Sequence, residues 1–162
     1  MQALLNSKEQ KIRQILETVC DPEIPVLTIS DLGILRDIKI NDEEIEVIIT
    51  PTYSGCPAMD AITMDIRMKL IEHGYKNVRI TSLLSPAWTT DWMSEAGKQK
   101  LEVYGIAPPK LSGHLNGQTT LPACPQCHSN NTKLLSQFGS TACKALYQCN
   151  DCKEPFDHFK CH

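Results

Sequence analysis

The sequence predicts an α+β chain in three parts. A small sandwich of sheet and helices spans residues 1–109, a linker spans 110–120, and a four-cysteine, zinc-ribbon-like module spans 121–162. Three observations carry this. Apolar residues recur at helical spacing in three segments, with a hairpin and one further strand between them. A stretch of turn-forming residues, "PPKLSGHLNGQTT", breaks the pattern. Beyond it lie six of the eight cysteines.

In chain order, Ser7 to Gln10 fits a capping box, and Ile12, Ile15, Leu16 and Val19 follow on one helical face. Asp21-Pro22 ends that helix, because the residue before proline avoids the α region. "DPEIPVLTISDLGIL" is too rich in turn residues to continue it. Alternation at Ile38 and Ile40, and again at Ile45, Val47 and Ile49, predicts a hairpin of 34–40 and 44–50 turning at Asn41-Asp42. Met59, Ile62, Ile66 and Leu70 mark a second helix, stopped at His73-Gly74. "NVRITSLL" (77–84) is a third strand. A third helix runs from Asp91 or Ser94 to Tyr104, with Gly105 past its end and Pro108-Pro109 forbidding continuation. Trp88 and Trp92 fit core or interface positions better than a substrate box. In the tail, "KLLSQFG" and "KALYQC" are strands.

Composition narrows the class. With 41% hydrophobic and 22% charged residues, the chain is of ordinary globular type. A formal charge of −3 and the absence of any Lys/Arg run give no footprint for nucleic acid. There is no basic-then-apolar leader and no apolar run of membrane-spanning length, so the expected location is the cytoplasm, with no membrane partner. In a reducing compartment, clustered thiols point to metal binding or reactivity rather than a disulfide framework.

The tail spacing is specific. "CPQC" (Cys124, Cys127) and "CNDC" (Cys149, Cys152) are two knuckles separated by 21 residues, just beyond the zinc pattern's about 15–20. Each knuckle turns two thiolates toward one point, and two complete a tetrahedral site. Four thiolates also suit a rubredoxin-like iron or an iron–sulfur cluster; structural zinc is the expected ion. Cys143, Cys161, His128, His158 and His162 are alternative ligands, each fitting a surface or packing role better. So short a tail cannot build an adequate core alone, which makes metal binding a source of folding free energy.

Cys56, in "PTYSGCPAMD", stands apart. Pro57 fits the first helical position, placing the thiol at or beside a helix N-cap. Unpaired N–H groups and the helix dipole there lower a cysteine pKa, so the expectation is a reactive or metal-binding thiol, with Gly55 permitting close approach of a partner. A small buried residue filling a turn fits the local pattern equally. A nucleophilic enzyme needs a base, and neither His73 nor His114 is well placed. Asp21 and Glu23 in "DPE" fit turn chemistry first and a carboxylate pair second. No Glu-x-x-His pair of the kind that holds di-iron centres occurs, which disfavours oxygenase chemistry.

"DPEIP" (21–25), "DLGIL" (31–35) and "TYSGCPAM" (52–59), in that order, resemble the SufT-type domain of iron–sulfur assembly factors. With "SPAWTTDWMSEAGKQKLEVYGIAPP" and the cysteine tail, essentially the whole chain resembles the PaaD family, accessory proteins of the bacterial phenylacetyl-CoA epoxygenase system. That system pairs a di-iron oxygenase with a reductase carrying flavin and a 2Fe–2S cluster. The resemblance implies a non-catalytic maturation factor that assists iron or iron–sulfur cluster insertion into the reductase or oxygenase component. It implies Cys56 as the transfer residue, with Asp21 and Glu23 supporting, a transient iron or cluster cargo, and epoxygenase subunits or a second copy of the chain as partners. The alternative is a structural zinc subunit that bridges epoxygenase components without handling iron.

Overall fold

The computed structural model describes residues 2–41, 44–109 and 121–160. The chain divides into two compact units, Met1–Trp88 and Thr89–His162. The boundary expected at 109 thus moves to 88, because Ile106 and Ala107, after the third helix, pair into the tail's sheet. The expected linker, 110–120, lies outside the described residues, as does the predicted turn at Asp42.

The first unit contains α1 (Gln2–Leu16), β1 (Leu35–Asn41), β2 (Glu44–Ile49), α2 (Ala58–Glu72) and β3 (Val78–Ser82). Its sheet has the order β1-β2-β3. The expected hairpin is antiparallel, whereas β3 lies parallel to β2. Parallel neighbours cannot be joined by a tight turn, so α2 is the crossover between them. Central β2 buries Ile45, Val47, Ile48 and Ile49, as a strand paired on both edges beneath a helix should. Helix α2 buries Ala58, Ile62, Ile66 and Leu70 at four-residue spacing. Met59, expected on that face, is only half-buried, and Ala58 takes its place.

Helix α1 departs from expectation at both ends. It begins at Gln2, so Ser7 lies inside it and caps nothing. It stops at Leu16 and not at Asp21-Pro22. The chain tightens there into i→i+3 bonds from Thr18 N and Val19 N, and the Thr18 hydroxyl donates to Ile15 O at 2.7 Å. A side chain thus satisfies one of the helix's last carbonyls and makes continuation unnecessary. Val19 is still buried, reached from a turn. Trp88 is a core residue, with its Nε1–H donating to Leu32 O at 2.8 Å.

The second unit contains a 3-10 turn (Thr90–Trp92), α3 (Glu95–Tyr104), β4 (Ile106–Ala107), β5 (Thr132–Ser136), β6 (Lys144–Cys149) and β7 (Pro155–Phe159). The strand order is β4-β7-β6-β5. Ser94 caps α3 by accepting from Gly97 N at 2.9 Å, and Gly105 ends it at φ 92°. Strands β5 and β6 were legible; β4 and β7 were not. The buried residues of β7, Phe156 and Phe159, stand three apart and give no alternation, and β4 has only two residues.

Because Ile66 is fully buried on α2 against the sheet, Ile66→Ala should cost about 2–5 kcal/mol through lost burial and a residual cavity. Urea unfolding followed by far-UV circular dichroism measures this.

Candidate functional sites: a four-thiol cluster and a thiol–carboxylate loop

The two knuckles have the same backbone. Cys124 N donates to Ser129 O and Cys149 N donates to Glu154 O, five residues on in each case. The fourth residue after each first cysteine is left-handed: His128 at φ 58° and Lys153 at φ 68°. His128 is therefore a turn residue; its ring is exposed and sits 3.4 Å from Glu102. The turns bring Cys124, Cys127, Cys149 and Cys152 together, with all four sulfurs within 4.8 Å of one another. The pairs Cys124–Cys152 and Cys127–Cys149 are 3.7 and 3.6 Å apart. A tetrahedron with Zn–S bonds of about 2.3 Å has sulfur–sulfur edges of about 3.8 Å, so the cluster fits a structural zinc.

The sulfurs also need a cation electrostatically. Backbone N–H groups of Cys152 and Asp151 draw Cys149 down to about 7. At Cys152 the N–H of Glu154 favours the thiolate, yet burial and the neighbouring sulfurs push the thiol up to about 12. Four thiolates coexist only around a divalent charge. The core this ion would support is small: Ala107, Cys124, Cys149 and Phe156, with Tyr147 packed against it. The alternative ligands are elsewhere. Cys143 is buried with Thr141 Oγ1 at 3.0 Å from its sulfur. His158 donates from Nδ1 to Ala107 O at 3.1 Å. Cys161 and His162 lie outside the described residues.

Cys56 occupies the loop that leaves β2 and enters α2. Its N–H donates to Tyr53 O at 3.1 Å, and its carbonyl accepts from Met59 N at 3.3 Å. Pro57 already has helical dihedrals, φ −69° and ψ −19°, and no side chain caps α2. The thiol is thus beside the helix start, as expected, but its pKa moves the other way. Burial pushes it up, outweighing hydrogen bonds from Ala58 N–H and Thr52 that favour the thiolate, and the charges of Asp21 and Glu23 push it further. Sequence reasoning weighed the helix terminus and not the desolvation around it. Gly55 has no positive φ, and a Cβ there would meet nothing nearer than Tyr53 Cε2 at 3.9 Å.

The charges of Asp21 and Glu23, more than thirty residues upstream in sequence, act on the thiol through space. Asp21 is buried, and its Oδ1 accepts from Glu23 N at 2.7 Å and Ile24 N at 2.9 Å. Its N–H donates to Leu27 O at 2.9 Å. The turn reading of "DPE" therefore holds, and the folded turn carries its charge toward Cys56. His73 is at the opposite end of α2, bonded through Nδ1 to Lys69 O, and His114 is outside the described residues. Among the described residues only the tail sulfurs form a preformed multi-ligand cluster. Cys56 is instead a single half-buried thiol on which the charges of two acids act.

Two outcomes follow. Cys149→Ser should abolish stoichiometric zinc, and chelating the wild type should unfold the ribbon sheet while leaving the β1-β2-β3 unit, as zinc analysis and amide hydrogen exchange would register. Alkylation of Cys56 should rise with pH to a midpoint above that of an unperturbed thiol, about 8.5. Asp21→Asn, which keeps the acceptor for Glu23 N and Ile24 N, should lower that midpoint; peptide mapping by mass spectrometry follows each cysteine.

Comparison with known proteins matches both halves. Residues 9–81 match the family described as iron–sulfur cluster assembly protein, and residues 108–160 match the PaaD zinc beta ribbon domain. A protein of Escherichia coli (strain K12), named as one subunit of a "Putative 1,2-phenylacetyl-CoA epoxidase", is 48% identical over 93% of this chain and 92% of its own length. An "Fe-S protein maturation auxiliary factor" of Porphyromonas gingivalis is 40% identical over 57% of this chain and 90% of its own. Among solved structures, a domain of unknown function from Bacillus anthracis shares the fold at a TM-score of 0.59 and 24% identity, covering 64% of this chain and 99% of that one. A conserved hypothetical protein from Thermotoga maritima aligns at a TM-score of 0.50 and 28% identity, covering 57% and 92%. With its full-length relative, its assembly-type first unit and its four-thiol ribbon, this chain belongs to the PaaD family.

Proposed function

We propose that this protein is a non-catalytic maturation factor that hands iron or an iron–sulfur cluster to the reductase or the di-iron oxygenase of a phenylacetyl-CoA epoxygenase system. The observation that carries this reading is a lone thiol, Cys56, at the start of α2, with the charges of Asp21 and Glu23 acting on it. It is supported by the names of the Escherichia coli and Porphyromonas gingivalis relatives. The raised thiol pKa suits a carrier. An unloaded Cys56 stays protonated and unreactive; an arriving iron displaces the proton, and the nearby carboxylates offset its charge. One thiolate is too few ligands to retain iron, so the remaining coordination positions are open to a client's own residues. The four tail thiols take no part in transfer, since a closed tetrahedral site is structural.

A second reading, a zinc protein bridging epoxygenase components, is favoured by the ribbon's exposed Leu134, Leu135 and Phe138. The two readings part at Cys56→Ser. Under the carrier reading, anaerobically purified wild type holds zinc plus iron and, for a cluster, acid-labile sulfide. Cys56→Ser keeps one zinc per chain and loses the iron, and the client made with it lacks its iron centre. A fully loaded client made with Cys56→Ser would rule out the carrier and favour the bridge.

A further inference from the structure

Helix α2 has a second apolar face that none of the described residues of the first unit covers. Met64, Met68 and Ile71 stand at i, i+4 and i+7 and are 59%, 52% and 48% exposed. At about 100° per residue this stripe is opposite the buried row of Ala58, Ile62, Ile66 and Leu70. Pro57 and Ala61, both exposed, extend it toward the helix start. The stripe is therefore graded, with small residues at the N-terminal end and large ones at the C-terminal end. Asp60 and Arg67, also exposed, lie along one flank. Asp60 has no partner among the described residues, and Arg67 commits one nitrogen, donating from Nη1 to Val78 O at 3.1 Å.

The geometry points to a second copy of this chain as the occupant of this face, through antiparallel pairing of α2 with α2. A two-fold axis crossing the helix between residues 63 and 64 sets Asp60 level with Arg67 of the other copy on the same flank, twice over. The same axis sets Ala61 among Met64 and Met68, and Pro57 beside Ile71, so small residues of each copy receive large ones of the other. Charge and size complementarity thus select one register, as an isologous interface requires. On the other flank Asp65 and Glu72 are exposed and lie as far round the helix from the stripe as Asp60 and Arg67 do; the axis sets the two Asp65 residues three positions apart, a like-charge contact that the two Asp60–Arg67 pairs must outweigh. This pairing would bring Ile71 of one copy level with Cys56 of the other. The two Cys56 residues would then be about 22 Å apart along the helix axes at 1.5 Å per residue. Each thiol would serve its own site, since that span is too long for one shared cluster.

Sedimentation of the zinc-loaded full chain tests this independently of iron transfer, because Cys56→Ser should dimerise as the wild type does. A concentration-dependent species of twice the chain mass is expected. Met68→Glu should weaken it at least tenfold, Asp60→Arg should weaken it, and adding Arg67→Asp to Asp60→Arg should restore it. Circular dichroism checks that each variant is folded. If the double variant unfolds through loss of the Val78 bond, Met68→Glu and Asp60→Arg decide the matter. A wild type monomeric at about 100 µM, or a Met68→Glu dimer as tight as the wild type's, would overturn the inference.

Discussion

The parallel pairing of β2 with β3 is the constraint from which the first unit's arrangement follows. Parallel strands require the chain to return to the end where it started, and α2 makes that return. The loop from β2 into α2 therefore sits beyond the carboxyl end of a parallel strand, where a helix begins, the position at which crossover folds gather ligand-handling residues. Cys56 is in that loop. The hairpin and the buried row on α2 hold the sheet that carries this loop.

The second unit solves a different problem. The buried cluster around its sulfurs is four residues, two of them cysteines, so beside the knuckles apolar burial is small and a bound ion would add to what Leu101, Ile106 and Phe159 bury elsewhere in the unit. The repeated knuckle backbone explains how so short a chain delivers four sulfurs to one point. Each knuckle is self-contained, closed by its own backbone bond and its own left-handed residue, and the sheet has only to bring the two together.

Much of this was legible in the sequence because the signals were periodic or spaced. The hairpin, the buried face of α2, the Ser94 cap, the Gly105 stop and the meeting of four tail thiols each rest on a short local rule. What escaped depended on contacts between distant segments. Strand β7 exists because β6 and β4 flank it, and its own residues do not alternate. The early stop of α1 came from a threonine hydroxyl competing for a carbonyl, a choice propensity does not resolve. The direction of the Cys56 shift was missed for the same reason: the helix start is local, but the burial and the Asp21 and Glu23 charges arrive through folding. The domain boundary moved because two residues beside a double proline joined a sheet formed some fifty residues later.

Asp21 has one further consequence. The carboxyl group that biases the thiol is also the acceptor that closes its own turn, so charge and loop cannot vary separately. Local opening of "DPEIP" would release the carboxylate from its fixed position and relieve the thiol of that burden at the same moment. Burial remains the larger cause of the raised thiol, so opening that loop would relieve only the smaller, electrostatic share of the bias.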